Sequence, residues 1–165
     1  MKGKIFTLLS TAILAGVVTG GCASLNNGGS CGFAYDGKTA VIEEDLENVV
    51  FVDTEGDVSL SFDYGGVTYS MDFSPENASQ ISGETIYTCT FSNSEGKECL
   101  GNIIMSDEAE GSAAGTVRFR DDMTSDEAFG FIVAPNASDL EDYRDALEEE
   151  RIQLETWTDS AQQTQ

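Results

Sequence analysis

Two runs of strict alternation meet at Gly65-Gly66. Val58, Leu60, Phe62 and Tyr64 alternate with Ser59, Ser61 and Asp63. Val67, Tyr69, Met71 and Phe73 alternate with Thr68, Ser70 and Asp72. A period of two places every apolar residue on one face of a pleated strand. The glycine pair supplies the positive φ that a two-residue hairpin turn needs. The segment therefore predicts an antiparallel hairpin with one buried and one solvated face. A lone hairpin is marginal in water, so other elements must cover that face.

The rest of the body supplies short strands between turns. Phe33-Ala34-Tyr35 and Thr39-Ala40-Val41-Ile42 flank Asp36-Gly37, a hairpin signal. Val49 to Val52 is a short apolar run. Thr85 to Phe91 and Cys99 to Met105 form a further pair around the turn residues Asn93 to Lys97. Ser106 to Gly115 is acidic and Gly/Ala-rich and reads as a loop, and Thr116 to Arg120 and Ala128 to Val133 complete the strands. The expectation is a mainly β fold, a single antiparallel β-sandwich or barrel-like domain of about eight or nine strands over residues 33–133. After Pro135 the period changes. Ser138-Asp139-Leu140-Glu141 reads as a capping box with Ser138 as N-cap. Leu140, Tyr143, Leu147, Leu154 and Trp157 share a helical face that Glu150 interrupts. This predicts one C-terminal α-helix within residues 134–157, covering its own domain, and a disordered polar tail over 158–165.

The N-terminus carries an address. Lys2 and Lys4 precede an apolar run from Ile5 to Val18. That run is too short to span a bilayer, which takes ~20 apolar residues, and suits a secretory signal peptide over residues 1–21. Val18-Thr19-Gly20-Gly21-Cys22-Ala23-Ser24 follows. Small residues before a single Cys resemble the lipobox of bacterial lipoproteins. The resemblance implies cleavage before Cys22, a diacylglycerol on its thiol, and a membrane anchor. Residues 22–32 then read as the lipidated Cys and a flexible tether of Asn, Gly and Ser. The alternative is an ordinary cleaved signal near Ala23 that leaves a soluble secreted chain.

The chain has 30 acidic and 8 basic residues and a net charge of −22. Loss of Lys2 and Lys4 with the signal leaves 6 basic residues against 30 acidic, a charge of −24. This argues against nucleic-acid binding, which needs clustered Lys and Arg. It also argues against lying flat on anionic lipid. An acidic surface suits a saline medium or a basic protein partner.

The cysteines are Cys22, Cys31, Cys89 and Cys99. Cys89 and Cys99 are symmetric about Ser94, which predicts that they face each other across a hairpin and form a disulfide in an oxidising compartment. Cys31 is left over, or pairs with Cys22 if Cys22 carries no lipid.

The chain contains no His. Ser-His-Asp and Cys-His chemistry and His-built zinc sites are excluded, and the residue types left point to a non-enzymatic protein with no cofactor. Carboxylates in turns suggest a calcium reading: Asp53, Glu55 and Asp57 in one, Asp121, Asp122 and Asp126 in the other. The hairpin from Tyr64 to Phe73, Ser82-Gly83 followed by Tyr87, and Gly96-Lys97 resemble the small envelope inhibitors of C-type lysozyme. That resemblance implies a small β-barrel and assigns cleft-reaching roles to Ser82 and Lys97. The leading expectation is an exported, membrane-anchored acidic lipoprotein on the extracytoplasmic side of the cell envelope, with a binding or structural role. A lysozyme-type inhibitor and a calcium-stabilised adhesion or surface module are the alternatives.

Overall fold

The computed structural model describes residues 29–54, 57–120 and 128–162, with side-chain surroundings up to residue 152. The strands are β1 Cys31–Asp36, β2 Ile42–Asp45, β3 Glu47–Thr54, β4 Asp57–Tyr64, β5 Val67–Phe73, β6 Ala78–Ile81, β7 Glu84–Ser92, β8 Glu98–Ser106, β9 Ala113–Phe119 and β10 Ala128–Ala134. Helix α1, Ala137–Gln162, follows β10. Seven strands form one antiparallel sheet in the order β2-β1-β10-β9-β8-β7-β6, and β3-β4-β5 form a second. The architecture is the expected mainly β sandwich with a C-terminal helix. The large sheet stays open, with β2 and β6 at its edges, so it is no barrel.

The alternation at residues 58–73 explains the small sheet. Tyr64 pairs with Val67 across Gly65 and Gly66, whose φ values are 58° and 76°. Val58, Leu60, Phe62, Tyr69, Met71 and Phe73 are buried against the large sheet. The Phe62 ring centroid lies 5.6 Å from Tyr69, 5.1 Å from Phe131 and 6.4 Å from Phe129. On the outer face Asp63 accepts from the Thr68 hydroxyl at 2.6 Å and from Asn48 Nδ2 at 2.7 Å, tying β4 to both neighbours. These donors hold its carboxyl below the usual carboxylate range, the Thr68 bond contributing most.

The opposite face of the large sheet has its own core. Phe33, Tyr35, Ala114, Ile132 and Ala134 pack under Leu140, Tyr143 and Leu147 of α1. Strands β1 and β10 are therefore covered on both faces, which is why they read as continuous apolar runs. Arg144 fastens the helix: its guanidinium stands 4.5 Å from the Phe33 ring centroid and pairs with Asp45 at the end of β2. Glu150, which breaks the apolar face in sequence, is buried. Its charge and, above all, burial push the Tyr35 phenol up to about 12.

Five local expectations are corrected. The two-residue turn at Asp36-Gly37 is instead a five-residue loop from 37 to 41, because Asp36 Oδ1 accepts from the Lys38 and Thr39 amides and closes an Asx turn. Residues 113–115, read as loop, are strand, since Ala113, Ala114 and Gly115 are small enough to sit in the crowded centre of the large sheet. Strand β6 is not predicted, because Ala78 to Ile81 shows no alternation; Ser82 (φ 53°) and Gly83 (φ 83°) turn it onto β7. The N-cap is Asn136 in place of Ser138. Asn136 Oδ1 accepts from the Asp139 amide at 3.0 Å and its Nδ2 donates to the Asp139 carboxylate at 3.0 Å. At the two ends, β1 takes in residues 31 and 32 of the expected tether, and α1 runs to Gln162 through most of the expected tail.

Candidate functional site

The registers sort the loops into two poles. Cys31 pairs with Ala134, Val133 with Ala113, Ile104 with Ala114, and Ser106 with Glu84. The start of β1, the 107–112 loop, the 82–83 turn and the start of α1 thus share one end of the sandwich, called here the N-terminal pole. Asp36 pairs with Phe129, Ala128 with Arg118, Cys99 with Phe119, and Ser92 with Glu98. The 37–41 and 93–97 loops lie at the opposite pole.

Two clefts open at the N-terminal pole on either side of residues 109–110. One, of about 190 Å³, is lined by Glu108, Glu110, Ser112, Asp139, Asp142 and Tyr143, with Ala109. The other, of about 300 Å³, is lined by Asp53, Thr85, Tyr87, Met105, Asp107 and Glu110 among others. Gly111 (φ 78°) turns the loop back against Pro135, which brings it to the first turn of α1. The Tyr143 phenol is pushed up by burial, opposed by its hydrogen bond to Ser112. Neither cleft has a basic residue in its lining. The acidic stretch 107–110 and the acidic first turn of the helix are visible in the sequence. Their meeting depends on the β9–β10 register, which no local pattern reveals.

Cys22 lies outside the described residues, as do Glu55, Asp121, Asp122 and Asp126. Asp53 and Asp57 flank the β3–β4 turn, with Asp53 opposite Val58 and Asp57 opposite Thr54. Among the described residues no group of three or more carboxylates or thiols is placed to hold a metal ion.

The register between β7 and β8 corrects the expected opposition of Cys89 and Cys99. The 93–97 loop centres the hairpin on residue 95, so Cys89 faces Gly101 and Cys99 faces Phe91. Asn93 sets this loop: its Oδ1 accepts from the amides of Glu95 and Lys97, and its backbone carbonyl accepts from Gly96. The two thiols share a face but sit on a diagonal, a Cα separation of roughly 7–8 Å that exceeds disulfide reach. Both are free thiols. Burial pushes Cys89 up to about 11 and also raises Cys99, so neither is an activated nucleophile at neutral pH. Peptide mapping after alkylation without reductant is expected to recover Cys89 and Cys99 separately modified. A linked 89–99 peptide would require a different register.

Ser82 and Lys97 do not converge. Ser82 sits in the turn before β7 and Lys97 in the loop after it. The 9 residues of β7 between them hold the two ends roughly 30 Å apart. Lys97 is occupied locally, 3.7 Å from Glu95 and 5.3 Å from the Phe119 ring centroid. The pair cannot enter one cleft together. Comparison with protein-family models, curated proteins and solved structures found no match.

Proposed function

We propose that the chain is an acidic lipoprotein of the cell envelope, anchored through Cys22, with a non-enzymatic binding or structural role on the extracytoplasmic side. The observation that carries this reading is the run of small residues before a single Cys at the end of the short apolar segment. Cys22 stands only nine residues ahead of Cys31, where β1 begins, so an anchor there leaves every described element intact. A lipid on Cys22 is worth ~0.8 kcal/mol per buried CH₂, and several chains together hold a protein on a membrane. Mass spectrometry of the mature N-terminus is expected to find a lipid-modified Cys22. The Cys22→Ser variant is expected to leave the membrane fraction. A free N-terminus at Ala23 or beyond, or an unchanged membrane fraction in the variant, overturns the reading.

A further inference from the structure

The outer edge of β3 is open to a further strand. Tyr64 and Val67 close a two-residue turn, so the even-numbered residues of β4 hydrogen-bond to β5 and the odd-numbered ones to β3. Val50, Val52 and Thr54, opposite Ser61, Ser59 and Asp57, therefore bond to β4. Phe51 and Asp53 turn their N–H and C=O groups the other way, where no described residue bonds to them. The other edges are guarded. Strand β2 carries Glu43, Glu44 and Asp45, which Tyr64, Gly65 and Arg144 hold. Strand β5 is tied to the 93–97 loop: the Thr68 amide donates to Ser94 Oγ, and its carbonyl accepts from the Ser94 amide. Strand β6 has only four residues. An edge of eight residues with exposed apolar side chains, such as β3, invites another strand.

The side chains of β3 define the strand that fits. Val50 and Val52 are 57% and 41% exposed on the outer face, and Phe51 packs inward between them. Exposed carboxylates stand at both ends. Glu47, opposite Asp63, shares the outer face through the bulge, and Asp53, opposite the buried Val58, shares the inner one. Asp53 also lines the cleft of about 300 Å³, where Tyr87 and Met105 form an apolar wall beside Asp107 and Glu110. Such a cleft suits the aliphatic stem and charged head of a Lys or Arg. A second copy of the chain does not match. Laid antiparallel about Phe51, it would set valine against valine but bring Asp53 of one copy to the Glu47 end of the other. We infer that the β3 edge takes up an extended segment of a basic partner protein as an added strand, with apolar residues along Val50 to Val52 and Lys or Arg at its ends. Backbone bonds to Phe51 and Asp53 give the grip, and the flanking carboxylates choose the partner. The inference stands whether or not Cys22 carries lipid.

The probe is the peptide Lys-Val-Ile-Val-Thr-Lys, acetylated and amidated so that only its two lysines are charged. Run antiparallel to β3, it sets its first Lys against Asp53, its apolar residues against Val52, Phe51 and Val50, and its last Lys on the face of Glu47. It is titrated into the isotope-labelled chain from residue 22, which keeps every described element, and amide shifts are read by nuclear magnetic resonance at low salt. Shifts are expected at Val50 to Asp53 and not at Gln80 of β6. The same peptide with Glu for Lys should shift none of them. Val50→Lys with Val52→Lys, both pointing to solvent, should weaken binding roughly tenfold or more. Glu47→Gln with Asp53→Asn should weaken it roughly fivefold, the worth of two exposed ion pairs. Ile81→Lys on β6 should leave it unchanged. No shift at Phe51 or Asp53 with millimolar peptide, equal shifts from the Glu peptide, or a dimer of the chain alone that Val50→Lys with Val52→Lys dissolves, overturns the inference.

Discussion

Phe62→Ala is expected to cost about 3–5 kcal/mol, the range for emptying a fully buried aromatic site. Phe62 is completely buried on the central strand of the small sheet. Its ring reaches Phe129 and Phe131 on β10 and Tyr69 on β5, so it joins the two layers. The neighbours cannot collapse into the gap, because Tyr69 and Phe129 already pack against each other at 5.3 Å. A domain of this size has a total stability of roughly 5–15 kcal/mol, so the variant loses a large part of it. Urea titration should show a lower midpoint, and the melting temperature should fall by roughly 10 °C or more. A loss under about 1 kcal/mol would mean that the sheets do not meet through this aromatic group.

Gly115→Ala is expected to destabilise by about 3 kcal/mol, although Gly→Ala in a compatible strand gains ~0.4–1 kcal/mol from the unfolded state. Gly115 lies between Ile103 on β8 and Phe131 on β10, both completely buried. A methyl there overlaps the Asn102 carbonyl oxygen and stands 2.5 Å from Phe131 Cζ. The carbonyl is backbone within the β8–β9 pairing and cannot yield without breaking the ladder, so the steric loss outweighs the entropy gain. Gly37→Ala is the internal control. Its nearest contact is an ordinary 3.6 Å, and its cost should stay within about 0.5 kcal/mol. Equal thermal stability for the two variants would refute the close approach at Gly115.

The part of the fold that the sequence reveals most fully is the one with one face dry and one wet. Residues 58–73 alternate without fault, and both strands, their turn and their buried face follow from that alone. The elements it conceals have other controls. Strand β6 exists because β7 offers it an edge and Ser82-Gly83 turns it there; its own residues carry no period. The Asn136 cap competes with Ser138 two residues later, and both have an acid three positions on. The cysteine register depends on Asn93, whose side chain organises the loop and moves the hairpin centre from Ser94 to residue 95. The acidic clefts were legible only as separate acidic stretches, since strand pairing over long separations brings them together. The proposed anchor, by contrast, is a local signal written in consecutive residues.

Strand β1 is the first element of the fold, yet it is not an edge. It is paired along its length with β10 on one side and over Phe33 to Tyr35 with β2 on the other. Hydrogen bonds of an antiparallel pair run across the strands. Tension applied to the chain ahead of Cys31 along the strand therefore loads both ladders in shear, many bonds at once, while the Arg144 contacts clamp the helix over the same strand. A pull on the chain ahead of β1 therefore meets the large sheet through two ladders at once.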